Sequence, residues 1–167
     1  MTVFVRKSQA DVWRLCAYLS DRDRADDLTQ ETFLRAMTAL RSYRGESSAR
    51  TWLLSIARHT VLDSYRRSAR QRRLTDRLMQ RRPTEQADHA GRTELEALVE
   101  ALAEDRRTAF VLTQVLGLGY AEAAEVCGCP VGTIRSRVAR AREDLSGALT
   151  AQELRDEGDP PAAAGRR

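Results

Sequence analysis

Apolar positions recur at helical spacing along most of this chain. Between Val3 and Leu19, the residues Val5, Val12, Leu15, Cys16 and Leu19 fall at intervals that suit one face of a helix. Ser20-Asp21 follows, offering side-chain oxygens to cap a second helix predicted over about Arg24–Leu40. In that segment Leu28, Thr32, Ala36 and Ala39 share a face. Ser42–Ser47 reads as a loop, with Gly45 as its turn residue. A long third helix is predicted from about Ser48, with Trp52, Ile56, Thr60 and Asp63 along one side. Its C-terminal end turns wholly polar and arginine-rich.

From about Ser68 to Gly91 the apolar content falls to Leu74, Leu78 and Met79, and Pro83 interrupts the stretch. Such a segment cannot bury a core of its own and reads as a flexible linker, in part helical. Fully extended at ~3.3 Å per residue, its roughly 22 residues reach about 70 Å, or about two turns of B-form duplex at ~34 Å per turn. Periodicity returns at Glu94: Leu95, Leu98, Val99 and Leu102 stand at i, i+3, i+4 and i+7. A further helix, about Glu104–Leu116, holds Ala109, Leu112 and Leu116 in register, and Gly117-Leu118-Gly119 breaks it. Two helices then follow, about Tyr120–Cys127 and Pro130–Leu145. The tail from about residue 148, with Gly158-Asp159-Pro160-Pro161, reads as disordered.

The pair Tyr120–Cys127 and Pro130–Leu145 has the spacing of a helix-turn-helix. Ala124 is small where two helices must touch. Gly128, four residues on, tolerates the positive φ of the turn. Ile134, six residues beyond, is an apolar anchor on the second helix, and Pro130 suits a first helical position. At 100° per residue Ile134, Val138, Ala141 and Leu145 face inward. Gly132, Ser136, Ala139 and Arg140 face outward, flanked by Thr133, Arg135 and Arg137. Small residues, hydroxyls and arginines on an exposed helix face suit a major groove, where arginine reads guanine edges. The spacing alone leaves open a plain helical hairpin with a solvated arginine face.

Composition narrows the function classes. Only 5% of residues are aromatic and few stretches alternate β-branched residues, which argues against a sheet protein. Net charge is +4, mildly basic, but its distribution says more. Six arginines lie between Arg58 and Arg73 against one acid, Asp63, whereas five acids lie between Asp21 and Glu31 against two arginines. Two charge fields of opposite sign imply two different partners. Lys7 is the single lysine among 28 cationic residues, which suggests a GC-rich bacterial genome.

Three cysteines, Cys16, Cys127 and Cys129, make an odd count without a secretory framework, and no apolar run approaches membrane-spanning length. The protein is therefore expected in the cytoplasm, away from membranes. Cys127-Gly128-Cys129 raises the question of zinc. Four ligands are needed, and His59 and His89 lie far off in sequence, so these cysteines are assigned to the core, with no metal and no cofactor. No nucleophile elbow, paired histidine or glycine-rich phosphate loop is present, so no enzyme activity is expected.

Three ordered blocks carry a family resemblance: Asp26-Asp27-Leu28-Thr29-Gln30-Glu31-Thr32-Phe33-Leu34-Arg35-Ala36, Thr51-Trp52-Leu53-Leu54-Ser55-Ile56-Ala57-Arg58-His59, and Gly128-Cys129-Pro130-Val131-Gly132-Thr133-Ile134-Arg135-Ser136-Arg137. Together, over roughly Val12 to Leu145, they resemble the extracytoplasmic-function sigma factors of bacterial RNA polymerase. The resemblance implies an all-α chain of two small domains: sigma domain two over 1–68, a linker over 69–91, and sigma domain four over 92–147. The chain begins close to Trp13, so the family's first helix is expected to be short.

By the same resemblance, Asp26, Asp27, Gln30 and Glu31 would dock on the clamp helices of the polymerase beta-prime subunit, and the beta flap is a second expected contact. The Ser42–Ser48 loop would cup a base flipped from the minus-ten element, with Tyr43 stacking and Ser47 and Ser48 bonding base edges. Arg50, Arg58, His59, Arg66 and Arg67 would meet single-stranded and upstream DNA. Trp52 is assigned to the core. Thr133, Arg135, Ser136, Arg137 and Arg140 would read the minus-thirty-five duplex. An anti-sigma protein is an expected inhibitory partner. Two other readings stay open on the residues alone: a stand-alone regulator that uses only its helix-turn-helix, and a helical adaptor that binds only protein.

Overall fold

The computed structural model describes residues 2–79 and 93–157, and among these there are helices and turns but no strand. Helix α1 spans Thr2–Leu19, α2 Ala25–Ala39 and α3 Ala49–Met79. The sequence of the first 68 residues is thus read as three packed helices, and α1, α2 and α3 all contact one another. Their shared core is Val12, Leu15, Cys16, Leu19, Ala25, Leu28, Ala36, Leu53, Leu54, Ala57 and Val61. Leu15 and Leu54 are among the largest fully buried side chains, each stabilising by about 1.5–3 kcal/mol relative to exposure. Buried threonines in α2 and α3 return their hydroxyls to the helix: Thr29, Thr32 and Thr60 donate to the carbonyls of Ala25, Leu28 and Ile56, at 2.7, 2.6 and 2.9 Å. No buried hydroxyl among those three is left unsatisfied, which is why threonine can stand on an inward face.

The second group contains α4 (Glu94–Ala101), α5 (Glu104–Phe110), α6 (Tyr120–Cys127) and α7 (Val131–Glu157). Thr93 and Glu96 open α4 with a reciprocal capping box, Thr93 N donating to Glu96 Oε2 at 2.9 Å and Glu96 N to Thr93 Oγ1 at 3.3 Å. The predicted helix to Leu116 changes pitch on the way. After Phe110 it becomes a π-helical turn over Val111–Val115, and the Leu116 amide reaches back five residues to the Val111 carbonyl at 2.9 Å. Val111, Leu112, Leu116 and Leu118 are buried around this turn, joining Val99, Leu102, Ala109, Ala123, Val126, Ile134, Val138, Ala141 and Leu145.

Two helices run on past their apolar faces. Helix α3 continues to Met79, into the stretch expected to be a linker in part helical; arginine, glutamine, leucine and alanine all favour helix, and no Gly or Pro stands between Ser48 and Pro83. The disordered tail was expected from residue 148, but α7 continues to Glu157, because Ala148-Leu149-Thr150-Ala151-Gln152-Glu153-Leu154 contains no breaker. The rest of the linker, with His89, and the tail from Gly158 lie outside the described residues. Helix α1, expected to be short, has 18 residues.

The two groups pack against each other. Helix α3 lies along α6, and α1 meets α4 and α5. One side of α3 therefore faces α6 of the helix-turn-helix rather than open solvent.

Candidate nucleic-acid interface

The helix-turn-helix forms as its spacing requires. Ala124 is 5% exposed at the helix crossing. Gly128 ends α6 in the left-handed region with φ 63°, and its amide and that of Cys129 close the helix on the Glu125 and Ala124 carbonyls. A side chain at that φ would be strained. Pro130 leads into α7, its carbonyl accepting from the Thr133 amide at 2.9 Å. Ile134, Val138, Ala141 and Leu145 are all buried, so the opposite face points outward. Arg135, Ser136, Ala139 and Arg140 are exposed and Thr133 is half-buried. Ser136 returns its hydroxyl to the Thr133 carbonyl at 3.0 Å. Arg137 differs from its neighbours: its guanidinium donates to Asp105 Oδ2 at 2.5 Å and lies 3.8 Å from Cys129 Sγ.

The N-terminal candidates occupy a more crowded environment. Ser48 caps α3, accepting from the Thr51 amide at 3.0 Å. Tyr43 folds back over the loop: its hydroxyl donates to the Ser47 carbonyl at 2.6 Å and its ring lies 4.8 Å from that of Trp52, tilted by 40°. Gly45, with φ 73°, makes that turn. Trp52 is half-buried against the core rather than enclosed in it. Arg50 spans the two groups, with Nε 2.8 Å from Asp11 Oδ2 and Nη2 2.6 Å from the Leu116 carbonyl. Asp11 is buried, so this guanidinium neutralises a carboxylate and caps the end of the π-helical turn at once.

Arg58 also faces α6. Its Nε is buried without a hydrogen-bond partner among the described residues, and its charge acts on the Cys127 thiol. Leaving such a group unpaired costs about 1–3 kcal/mol. His59 is exposed, with Nδ1 2.7 Å from the Ser55 carbonyl; a carbonyl only accepts, so the proton sits on Nδ1. Arg66 and Arg67 are exposed.

On α2 the expected acidic residues divide. Asp27 and Gln30 are exposed. Asp26 accepts from Trp13 Nε1 at 2.8 Å, and Glu31 pairs with Arg35 Nε at 2.8 Å. Arg35 also pairs with Asp63 at 2.8 Å, and that hydrogen bond holds the Asp63 carboxyl below its ordinary value. The same outer face continues into three large apolar residues that charge-based reasoning passed over: Leu34, Met37 and Leu40 are 61%, 72% and 60% exposed. Their positions were readable, since Asp27, Gln30, Leu34 and Met37 step by three and four opposite Leu28, Thr32 and Ala36.

Cys16 is buried, and Cys127 and Cys129 are half-buried. Burial pushes the Cys16 and Cys127 thiols up to about 11, which keeps them protonated at neutral pH. Among the described residues no cluster of three or more His, Cys, Asp or Glu could hold a metal ion, and no helix is long and apolar enough to cross a membrane.

Comparison with known proteins agrees with this geometry. Residues 4–71 match sigma-70 region 2 and residues 92–145 match sigma-70, region 4. The ECF RNA polymerase sigma factor SigC of Mycobacterium tuberculosis is 52% identical over 154 residues, covering 87% of this chain and 80% of that protein. This chain is an extracytoplasmic-function sigma factor. It belongs with the family by sequence over both helical groups, and it directs promoter-specific initiation by RNA polymerase. The ECF RNA polymerase sigma factor EcfG of Rhodopseudomonas palustris is 39% identical over 140 residues, 81% of this chain and 77% of that one. Among solved structures, the sigma factor RpoE of Bartonella quintana, in complex with the anti-sigma factor NepR, superposes with a TM-score of 0.73 at 28% identity, covering 90% of this chain and 98% of that chain. Sigma factors are regulatory subunits, and the polymerase performs the chemistry.

Proposed function

We propose that this sigma factor divides its work between residues 1–68 and 92–147, joined by a linker over 69–91. The α2 face of Asp26, Asp27, Gln30 and Glu31 docks on the beta-prime clamp helices of core polymerase, and the C-terminal domain meets the beta flap. Tyr43, Ser47 and Ser48 hold a flipped minus-ten base, while Arg50, Arg58, His59, Arg66 and Arg67 follow the adjoining strand. Thr133, Arg135, Ser136 and Arg140 lie in the minus-thirty-five major groove. The protein acts in the cytoplasm without cofactor or catalysis of its own, and an anti-sigma protein, as in the Bartonella complex, is the class of partner that would restrain it.

The observation that carries the reading is the outer face of α2. An acidic start followed by Leu34 and Met37, all exposed, is a surface for a basic, apolar-edged helical partner rather than for solvent. The test is transcription in vitro from fragmented genomic DNA with sigma-free core polymerase and mapped 5′ ends. Discrete starts that share two spaced upstream motifs are expected. Leu34→Asp and Met37→Asp, at exposed sites, should leave folding intact and weaken core binding by at least about tenfold. Duplex binding without specific starts would instead identify a stand-alone regulator.

A further inference from the structure

Helix α7 carries six charged side chains between Thr133 and Leu145, and they do not all face DNA. With the buried line Ile134, Val138, Ala141 and Leu145 as reference, 100° per residue puts Arg137 and Asp144, two turns apart, on one flank. Arg142 falls on the other flank. All three are engaged. Arg137 Nη2 donates to Asp105 Oδ2 at 2.5 Å, and Arg106 Nη1 donates to Asp144 Oδ2 at 2.6 Å. Arg142 Nη2 donates to Gln114 Oε1 at 2.8 Å.

Asp105 and Arg106 are consecutive in the first turn of α5, and their signs alternate against α7. An acid on α5 meets an arginine on α7, and the next residue, an arginine, meets an acid. A slip of α7 along α5 would part both pairs and set like against like at one of them, Asp105 toward Asp144 in one direction or Arg106 toward Arg137 in the other. Asp105 and Asp144 are more than a third exposed, and pairs of that kind add little to stability. What the reciprocal arrangement supplies is position: it sets the rotation and register of α7 about its own axis. Arg137 is further tied to the turn through Cys129 Sγ at 3.8 Å.

We propose that Asp105 and Arg106, outside the recognition helix, are positioning residues for minus-thirty-five reading, and that Arg137 is their strut rather than a reader of bases. Thr133, Arg135, Ser136 and Arg140 are then the side chains left to meet DNA. The inference rests on α7 being the minus-thirty-five helix. Through a fixed α7, Asp105 sharpens base preference without touching DNA.

The experiment is holoenzyme transcription from a promoter library with randomised minus-thirty-five bases and a constant minus-ten element, beside a promoter lacking the upstream element. Asp105→Ala should lower initiation at the preferred upstream sequence by about three- to tenfold and flatten the base preference, leaving the promoter without that element unchanged. Arg137→Asp should do the same or worse, and Asp105→Arg combined with Arg137→Asp should restore most of the preference. An Arg137→Asp defect that Asp105→Arg does not rescue, or an unchanged base preference in Asp105→Ala, overturns the proposal. Asp105→Ala also covers the event that a charge reversal unfolds the domain. A wild-type protein that starts no discrete transcripts would overturn the sigma reading itself, and this proposal with it.

Discussion

The two helical groups carry arginines to opposite ends. In the C-terminal group Arg135 and Arg140 are exposed on a helix whose buried line and flanks are already satisfied, so the face proposed to read DNA is formed without it. In the N-terminal group Arg50 lies between Asp11 and the Leu116 carbonyl, and Arg58 is turned toward α6. Tyr43 and Ser48 likewise spend their hydroxyls on Ser47 and on the start of α3. The difference fits the two tasks proposed for them. A duplex offers its edges at all times and suits a rigid helix, whereas a flipped base exists only after strands part and would be met by groups that exchange partners. On the proposed assignment Arg50 would exchange Asp11 and the Leu116 carbonyl for DNA, and the unpaired Arg58 Nε has no hydrogen bond to give up.

The comparison can be broken first at the cores. Leu54→Ala and Ile134→Ala each remove a fully buried side chain and should cost about 2–5 kcal/mol. If the two groups fold as one unit, both variants shift a single denaturant transition. Two separate transitions, each responding to its own variant, would show that the interface through α3 and α6 contributes little. A smaller effect is expected at the bridge. Arg50→Ala strands the buried Asp11 carboxylate and frees the Leu116 carbonyl, and should cost about 2–3 kcal/mol, with a larger hydrodynamic radius. An unchanged radius would mean that other contacts hold the groups together. The smallest effect separates reading from bracing: Arg140→Ala should weaken minus-thirty-five-dependent initiation by about 1–3 kcal/mol, measured as promoter-specific transcript yield, with no change in thermal stability. A loss of stability there would place Arg140 among the braces with Arg137.

Periodicity and capping made much of the fold legible in the chain. Ile134, Val138, Ala141 and Leu145 were assigned inward from spacing and are buried; Ala124 and Gly128 stand where a crossing and a left-handed turn require a small residue and a glycine. The helical ends were less legible. Both α3 and α7 outlast their apolar faces, since strong helix formers continue a helix whether or not a core lies alongside. Leu95 shows the opposite error: it fits the apolar repeat of α4 and yet, in the first turn of that helix, is 58% exposed.

What the amino-acid sequence by itself determined is therefore local and periodic: which segments are helices, which face of each is apolar, where the turn of the helix-turn-helix lies, and, through three ordered blocks, the family. What only the tertiary structure decided is the partner of each long charged side chain. Arg50 and Leu116 are 66 residues apart, Arg137 and Asp105 are 32 apart, and no repeat along the chain joins them. A helical position sets the direction in which an arginine leaves the backbone. Which carboxylate or carbonyl waits there depends on how the helices pack, and the same residue type then spans two helical groups, pairs with a neighbouring acid or stands exposed.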